Sequence, residues 1–265
     1  MRYSWNNKSL IAEKAMKTRD NTILITGGAT GIGFALAEAF VKAGNKVLIC
    51  GRKEAKLKEA RGKLPQLQVR QCDLSKKEDR ESLCNWVRDN HQDLNILVNN
   101  AGIQRAINLR KGTAEFFGGE DEIQINFAAP IHLSAYFAPL LLEKKEAAIV
   151  NVSSGLGFVP IAAMPVYCAT KAGIHMFSVS LRHQLKGTPV KVFEIVPPAV
   201  DTELGKSTTG ASEQEYRGIL PSEVATAAIK AFKNDEYEIV IGEAKGLLEG
   251  SRKDFERTFQ ELNSW

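Results

Sequence analysis

Cysteine is scarce in this chain of 265 residues: Cys50, Cys72, Cys84 and Cys168 are the only four. None stands in a Cys-x-x-Cys or Cys/His pair at metal-ligand spacing, which argues against a zinc module and against a disulfide framework. They read as reduced thiols in or near a core, and so as belonging to a protein of the reducing cytoplasm. Histidine is equally sparse. His91, His132, His175 and His183 have no metal-ligand company in the sequence, so each is expected to be packed or surface-exposed, and no metal is expected. No apolar run approaches the roughly 20 residues of a membrane span. The opening MRYSWNNKSLIAEKAMKTRD lacks the continuous apolar core of a secretory signal. Glu13, Asp20 and the few arginines weigh against a transit peptide, so residues 1–20 read as a short helical or disordered extension, native or appended. The net charge is only +4, and no basic run marks a nucleic-acid footprint. Internal repeats, low-complexity tracts and domain-splitting linkers are missing, which leaves residues 21–265 as one expected domain. Paired carboxylates for glycosidic work and a nucleophile elbow are missing too.

What is present is alternation. Strand-like runs fall at Thr22–Thr26, Lys46–Cys50, Leu67–Gln71, Asn95–Asn99, Ala148–Ser153, Val190–Val196 and Tyr237–Ile241. Between them lie helical spacings, among them Ile32–Ala43, Lys53–Leu64, Glu115–Glu143 and Met164–Lys186. Such alternation predicts right-handed crossovers and an α/β fold: a doubly wound, mostly parallel sheet of about seven strands covered on both faces. The polar stretch Gly205–Arg217 reads as a mobile loop within a lid of about 203–220, and Glu243–Leu262 as a charged amphipathic helix.

The first strand runs into Gly27-Gly28-Ala29-Thr30-Gly31-Ile32-Gly33, and a helix follows at once. A glycine-rich strand-to-helix turn lets backbone approach a pyrophosphate beneath free helix N–H groups. The spacing is G-x-x-x-G-x-G, and no Gly-Lys-Ser/Thr is present for a P-loop. Gly27, Thr30, Gly31, Ile32 and Gly33 are the expected contacts, although a tight connection with no ligand has the same composition. The second strand ends in Cys50-Gly51-Arg52-Lys53. An NAD site would want an acid there for the ribose 2′-OH; a glycine and two cations suit a 2′-phosphate, so NADP(H) is expected over NAD(H), with Arg52 as anchor.

In PVYCATKAG, Tyr167 and Lys171 stand at i and i+4, neighbours on a helix face. A fixed ammonium favours phenolate and brings a tyrosine closer to neutral-pH proton exchange. Alone, the pair reads more readily as an amphipathic helix with a snorkelling lysine. Cys168 points about 100° away around that helix and reads as packing.

TGGATGIG, Asp73, Asn99-Asn100-Ala101-Gly102, Asn126, Ser153-Ser154-x-x-Gly157 and Tyr167-x-x-x-Lys171 occur in that order. In that combination the chain resembles the short-chain dehydrogenase/reductase family over about residues 21–242. Within it, stretches such as VYCATKAG and VPPAVDT are most similar to oxidoreductases encoded beside bacterial lipoteichoic-acid D-alanylation genes. The resemblance implies that Asp73 binds the adenine amino group and that Asn100 to Gly102 line the adenosine side. It implies Ser154 as the substrate-polarising hydroxyl, thirteen residues before Tyr167, with Tyr167 as acid/base and Lys171 holding the nicotinamide ribose. Val200 and Thr202 would meet the carboxamide. The sequence departs from the family at Pro198, where glycine is usual, so the path of PPAVDT is open. Pro130 stands four residues after Asn126 and cannot donate to its carbonyl, which predicts a kink. The family uses a water at such a carbonyl to connect its lysine with solvent, and Pro130 would keep that relay site open.

The expected function is therefore an NADP(H)-dependent oxidoreductase of class 1.1.1 interconverting a carbonyl and a secondary alcohol. Two alternatives stay open: a cofactor-binding regulatory protein with little turnover, and a reductase of carrier-bound acyl groups docked through Arg105, Arg110 and Lys111. Specificity is expected in Gln104–Lys111, Gly157–Met164 and Leu204–Gly218. A small-molecule substrate, no nucleic acid or membrane partner, and a homotetramer or homodimer paired through outer helix faces complete the expectation.

Overall fold

Seven runs of alternating or continuous apolar residues become seven parallel strands in the computed structural model, which describes residues 15–204 and 218–264. They are β1 (Thr22–Thr26), β2 (Lys46–Gly51), β3 (Gln68–Gln71), β4 (Ile96–Asn99), β5 (Ala147–Val152), β6 (Val190–Val196) and β7 (Glu238–Val240). Their order across the sheet is β3-β2-β1-β4-β5-β6-β7. Every residue of β1 and of β5 is buried, as expected for strands covered on both faces. The expected strands stand within two residues of those observed.

The helices are α1 (Gly31–Lys42), α2 (Glu54–Lys63), α3 (Lys77–Asn90), α4 (Thr113–Phe117), α5 (Ala129–Leu142), α6 (Pro165–Gln184), α7 (Pro221–Asn234), α8 (Ala244–Lys253) and α9 (Phe255–Leu262). On one face of the sheet Phe40 of α1 and Phe193 of β6 both meet Phe232 of α7, with ring centroids 5.9 and 4.6 Å apart. On the other, Leu83 and Val87 of α3 pack with Leu133, Phe137 and Leu141 of α5. The chain winds outward from β1 through β2 to β3, then returns to add β4 on β1's other side. The pairs Thr26↔Cys50 and Ile25↔Val98 bring three carboxyl ends together there. In such sheets ligands bind at this reversal.

Four expectations are corrected. Glu115–Glu143 is not one helix: α4 ends at Gly118-Gly119, and helix resumes at Glu122. The segment Glu243–Leu262 divides at Asp254, whose carboxylate caps the first turn of α9. Of the expected extension, residues 15–20 are non-helical and anchored, with Met16 buried in the main core; residues 1–14 lie outside the described residues. Finally, Gln124–Leu142 is long and apolar enough to cross a membrane by length and composition. Its Leu133, Phe137 and Leu141 are instead buried against the sheet and α3, the pattern of a core helix. Most of the expected lid, residues 205–217, lies outside the described residues; beyond it Ile219 bridges to Val200.

Candidate active site

The turn after β1 requires its glycines. Gly27 and Gly31 have φ of +63° and +53°, the left-handed region that other residues avoid. A Cβ on Gly33 would stand 2.3 Å from the Gly27 carbonyl oxygen, so only glycine lets α1 start this close to the turn. Thr30 precedes α1 without capping it through its side chain. The first turn of the helix is thus left without a side-chain cap beside the crevice that Thr30, Gly31 and Ile32 line, an arrangement suited to an anion. Asn100 fixes the turn from β4, its side-chain amide donating to the Thr26 carbonyl at 2.9 Å and its backbone N–H to the Thr26 hydroxyl at 2.9 Å. Thr202 packs its methyl group over Gly31.

The crevice encloses about 840 Å³. At its nucleotide end Arg52 forms an ion pair with Glu120, and Lys56 pairs with Glu203 at 3.0 Å. Asp73 lies beside Arg52 on the wall. Its partial burial favours the acid, but two hydrogen bonds from Ser75 prevail and hold its carboxyl below the usual range. Gly102 and Val200 line the same space. Pro198 leaves the neighbouring path intact: Pro197 accepts from the Gly155 N–H at 3.1 Å, and Ala199 and Asp201 hydrogen-bond with Ile219.

At the other end β5 delivers Ser153 and Ser154 just beyond Val152. Ser154 Oγ accepts from the Leu156 N–H at 3.1 Å, which leaves its own proton free to point elsewhere. Tyr167 and Lys171 share one face of α6, and Lys171 Nζ lies 5.7 Å from the Tyr167 ring centroid. Both side chains are buried and both line the crevice. Lys171 Nζ donates to the Val152 carbonyl at 2.8 Å. Burial pulls this ammonium down to about 8, against the opposing pull of Glu194. Gly157 packs on the backbone of Lys171 and Ala172, where a Cβ would stand 3.0 Å from Lys171.

Asn126 is fixed from both directions, accepting from the Ile103 N–H at 2.9 Å and donating to the Ile103 carbonyl at 2.8 Å. It sits in a π-helical turn, Gln124–Ala128, in which the Ala129 N–H reaches the Gln124 carbonyl. Where the sequence predicts a kink from Pro130, the structure has a widened turn just upstream of the proline, a feature common at functional sites.

Sequence reasoning missed two groups here. Ala244, Leu247 and Leu262, from α8 and the end of α9, line the crevice together with Leu156, Ile161 and Met164. Asn263 fastens that wall to the loop before α6, donating to the Pro160 carbonyl at 3.1 Å and accepting from the Ala162 N–H at 2.6 Å. Glu194 is the second: it stands in VKVFEIV on the strand face that also carries Val190, Val192 and Val196, and it is fully buried. It joins Ser153 and His175, and His175, Glu194 and Glu238 bring their ligand atoms within 4.8 Å of one another. The histidine expected to be merely packed therefore has company after all. Arg105, expected at a docking surface, instead donates its guanidinium hydrogens to the carbonyls of Glu115, Phe116 and Glu120.

The family model described as short chain dehydrogenase matches residues 21–213. An uncharacterized oxidoreductase, DltE, of Bacillus subtilis strain 168 is 47% identical over 249 residues, covering 94% of this chain and 99% of that protein. Among solved structures, a short-chain dehydrogenase from Sphingobium yanoikuyae in complex with NADPH superposes with a TM-score of 0.76 at 28% identity, covering 88% of this chain and 94% of that one. A Burkholderia phymatum short-chain dehydrogenase/reductase in complex with NAD has the same fold, with a TM-score of 0.80 at 21% identity over 93% and 96% of the two chains.

Proposed function

The chain belongs to the short-chain dehydrogenase family, and from that premise we propose that it is an NADP(H)-dependent oxidoreductase interconverting a carbonyl and a secondary alcohol. The observation that carries this reading is one crevice lined at one end by the glycine turn and at the other by Ser154, Tyr167 and Lys171. The residues fit a nicotinamide dinucleotide: uncapped N–H groups for the pyrophosphate, Asp73 and Asn100 to Gly102 beside the adenosine, Val200 and Thr202 at the carboxamide, and Arg52 for a 2′-phosphate. When bound, that cofactor supplies the hydride chemistry.

The protein's own part is proton management. Ser154, its oxygen already accepting from Leu156, turns its proton to the substrate oxygen and stabilises negative charge developing there. Tyr167 gives that oxygen its proton in the reductive direction and removes it in the oxidative one. Lys171, held on the Val152 carbonyl, provides the charge that makes a tyrosinate tolerable and binds the ribose. Asn126 positions the relay by which Lys171 exchanges protons with solvent. The substrate end, walled by Leu156, Ile161, Met164, Leu247 and Leu262, suits a carbonyl compound with an apolar body. Arg105 is engaged with backbone carbonyls, which takes one of the three expected docking cations away from the reading as a reductase of carrier-bound acyl groups. Pairing of copies through the outer faces of α5 and α6, as tetramer or dimer in the cytoplasm, belongs to the same reading.

The test is NADPH oxidation, followed by absorbance, across aldehydes, quinones, steroids and β-ketoacyl thioesters. Turnover of an apolar member with NADPH supports the assignment. Tight NADPH binding with no turnover across the panel overturns it in favour of a cofactor-binding regulator.

A further inference from the structure

Behind Ser153 of the crevice wall, β6 places Glu194 where no water reaches it: its side chain is 0% exposed. Ser153 Oγ donates to one carboxylate oxygen at 2.5 Å, and His175 Nδ1 stands 3.0 Å from the other. Ser153 is the residue between Val152, whose carbonyl holds Lys171, and Ser154. His175 is one turn beyond Lys171 on α6, so the two face the same way. One carboxylate is thereby tied to both segments that carry the proposed chemistry: the end of β5 and the inner face of α6. Phe158, just past the Ser154 turn, closes over the imidazole edge-on at 4.7 Å between ring centroids.

We propose that Glu194 is a positioning residue for this site, fixing the Ser153–Ser154 turn and His175 from beneath and supplying the buried counter-charge to Lys171. The proposal rests on the reading of Tyr167 and Lys171 as the proton-handling pair. A carboxyl group this deep needs polar partners. Those around it are Ser153 just beyond β5, Lys171, His175 and Arg182 from α6, and Glu238 from β7, with Tyr237, the residue before β7, close to Arg182. Burial alone would disfavour imidazolium at His175, yet the Glu194 hydrogen bond and charge outweigh it and raise the histidine's pKa. Arg182, a fixed cation, feels both Glu194 and Glu238. The protein's own cations therefore already face these carboxylates, which favours an internal ion network over a cation site at His175, Glu194 and Glu238.

The consequence for Lys171 has a definite sign. Glu194 opposes the burial that depresses the lysine, so removing its charge makes the ammonium lose its proton at still lower pH. The experiment is an NMR titration of cofactor-free protein carrying 13C-labelled lysine, with the Lys171 resonance assigned by its loss in Lys171→Met. The midpoint near 8 is expected to move to lower pH in Glu194→Gln and to stay close to its original position in Glu194→Asp, which keeps the charge. An unmoved midpoint in Glu194→Gln overturns the proposal, because a carboxylate that only packs would not shift it. Should Glu194→Gln fail to fold, the imidazole resonances of His175 in the parent protein carry the test. A midpoint above the ordinary histidine value of ~6.5 is expected from its pairing with Glu194; a midpoint at or below that value, as burial alone would give, overturns the proposal. The titration needs no substrate. Absence of NADPH oxidation with every carbonyl tried would therefore sink the oxidoreductase reading alone, whereas an unmoved Lys171 in a turning-over protein would sink only the role of Glu194.

Discussion

Lys171 carries a charge in a place that disfavours charge, and its titration makes that visible in stability as well as in chemistry. Its folded value of about 8 lies below an unfolded value of ~10.4. Between those two pH values the unfolded chain holds more protons, so stability from this group rises with pH through the window. The buried thiols Cys50, Cys84 and Cys168 are pushed the other way, so the effect must be isolated by difference. Lys171→Met is expected to gain stability relative to the parent below pH 8, and to lose that advantage by pH 10. The change is on the order of 3 kcal/mol, measured by urea unfolding of both proteins at each pH. For the chemistry itself, Tyr167→Phe is expected to lower kcat about 10²–10⁴-fold while NADPH affinity changes little. Arg52→Ala should weaken NADPH roughly 10–100-fold through loss of a charge-assisted contact and leave NADH unaffected. An equal loss for both cofactors would remove Arg52 from the 2′-phosphate. At this scale the sequence was legible wherever a residue type was peculiar to a position, as with Gly31, Ser154 and Tyr167-x-x-x-Lys171. Glu194 was not, because burial of an acid inside a strand depends on partners brought from 41 and 19 residues away.

Among the elements, the π-helical turn Gln124–Ala128 shows how a local rule is satisfied in an unexpected way. Proline at 130 withholds the N–H that Asn126 would otherwise meet, and the turn before it is widened. Pro130→Ala restores that donor. The expected outcome is a changed pH profile and solvent isotope effect for turnover; unchanged values would show that the relay does not depend on the proline. The helix that the sequence suggested over Glu115–Glu143 failed at Gly118-Gly119, where a paired glycine outweighed the apolar periodicity on either side. The C-terminal pair α8 and α9 was legible as amphipathic, but its target was not, since the docking partner is a loop about a hundred residues earlier. Asn263→Ala removes two hydrogen bonds to that loop. We expect KM for an apolar substrate to rise with kcat nearly unchanged, and stability to fall by about 1–3 kcal/mol.

For the whole molecule, strand alternation was enough to anticipate the sheet, because parallel pairing through crossovers leaves few topologies open. Assembly is a matter of what remains on the outside. Tyr136 and Leu142 on α5 and Met176 on α6 are exposed apolar side chains, Met176 at 62%. If copies pair through these faces, Met176→Asp is expected to lower the mass seen in sedimentation without altering the far-ultraviolet dichroism; an unchanged mass would place any interface elsewhere.

The position of β1 in the sheet also bears on how the chain is made. Its first neighbour, β2, arrives after about twenty residues, but its second, β4, pairs Ile23 with Ile96. During synthesis Thr22–Thr26 therefore waits, with one edge bare, until more than seventy further residues have left the ribosome. Long-range pairing of this kind slows folding, and an exposed apolar edge invites association with other nascent chains. A chain stalled before Ile96 would have its glycine turn complete in sequence yet lack Asn100, the side chain that pins it, so cofactor could not rescue such a fragment.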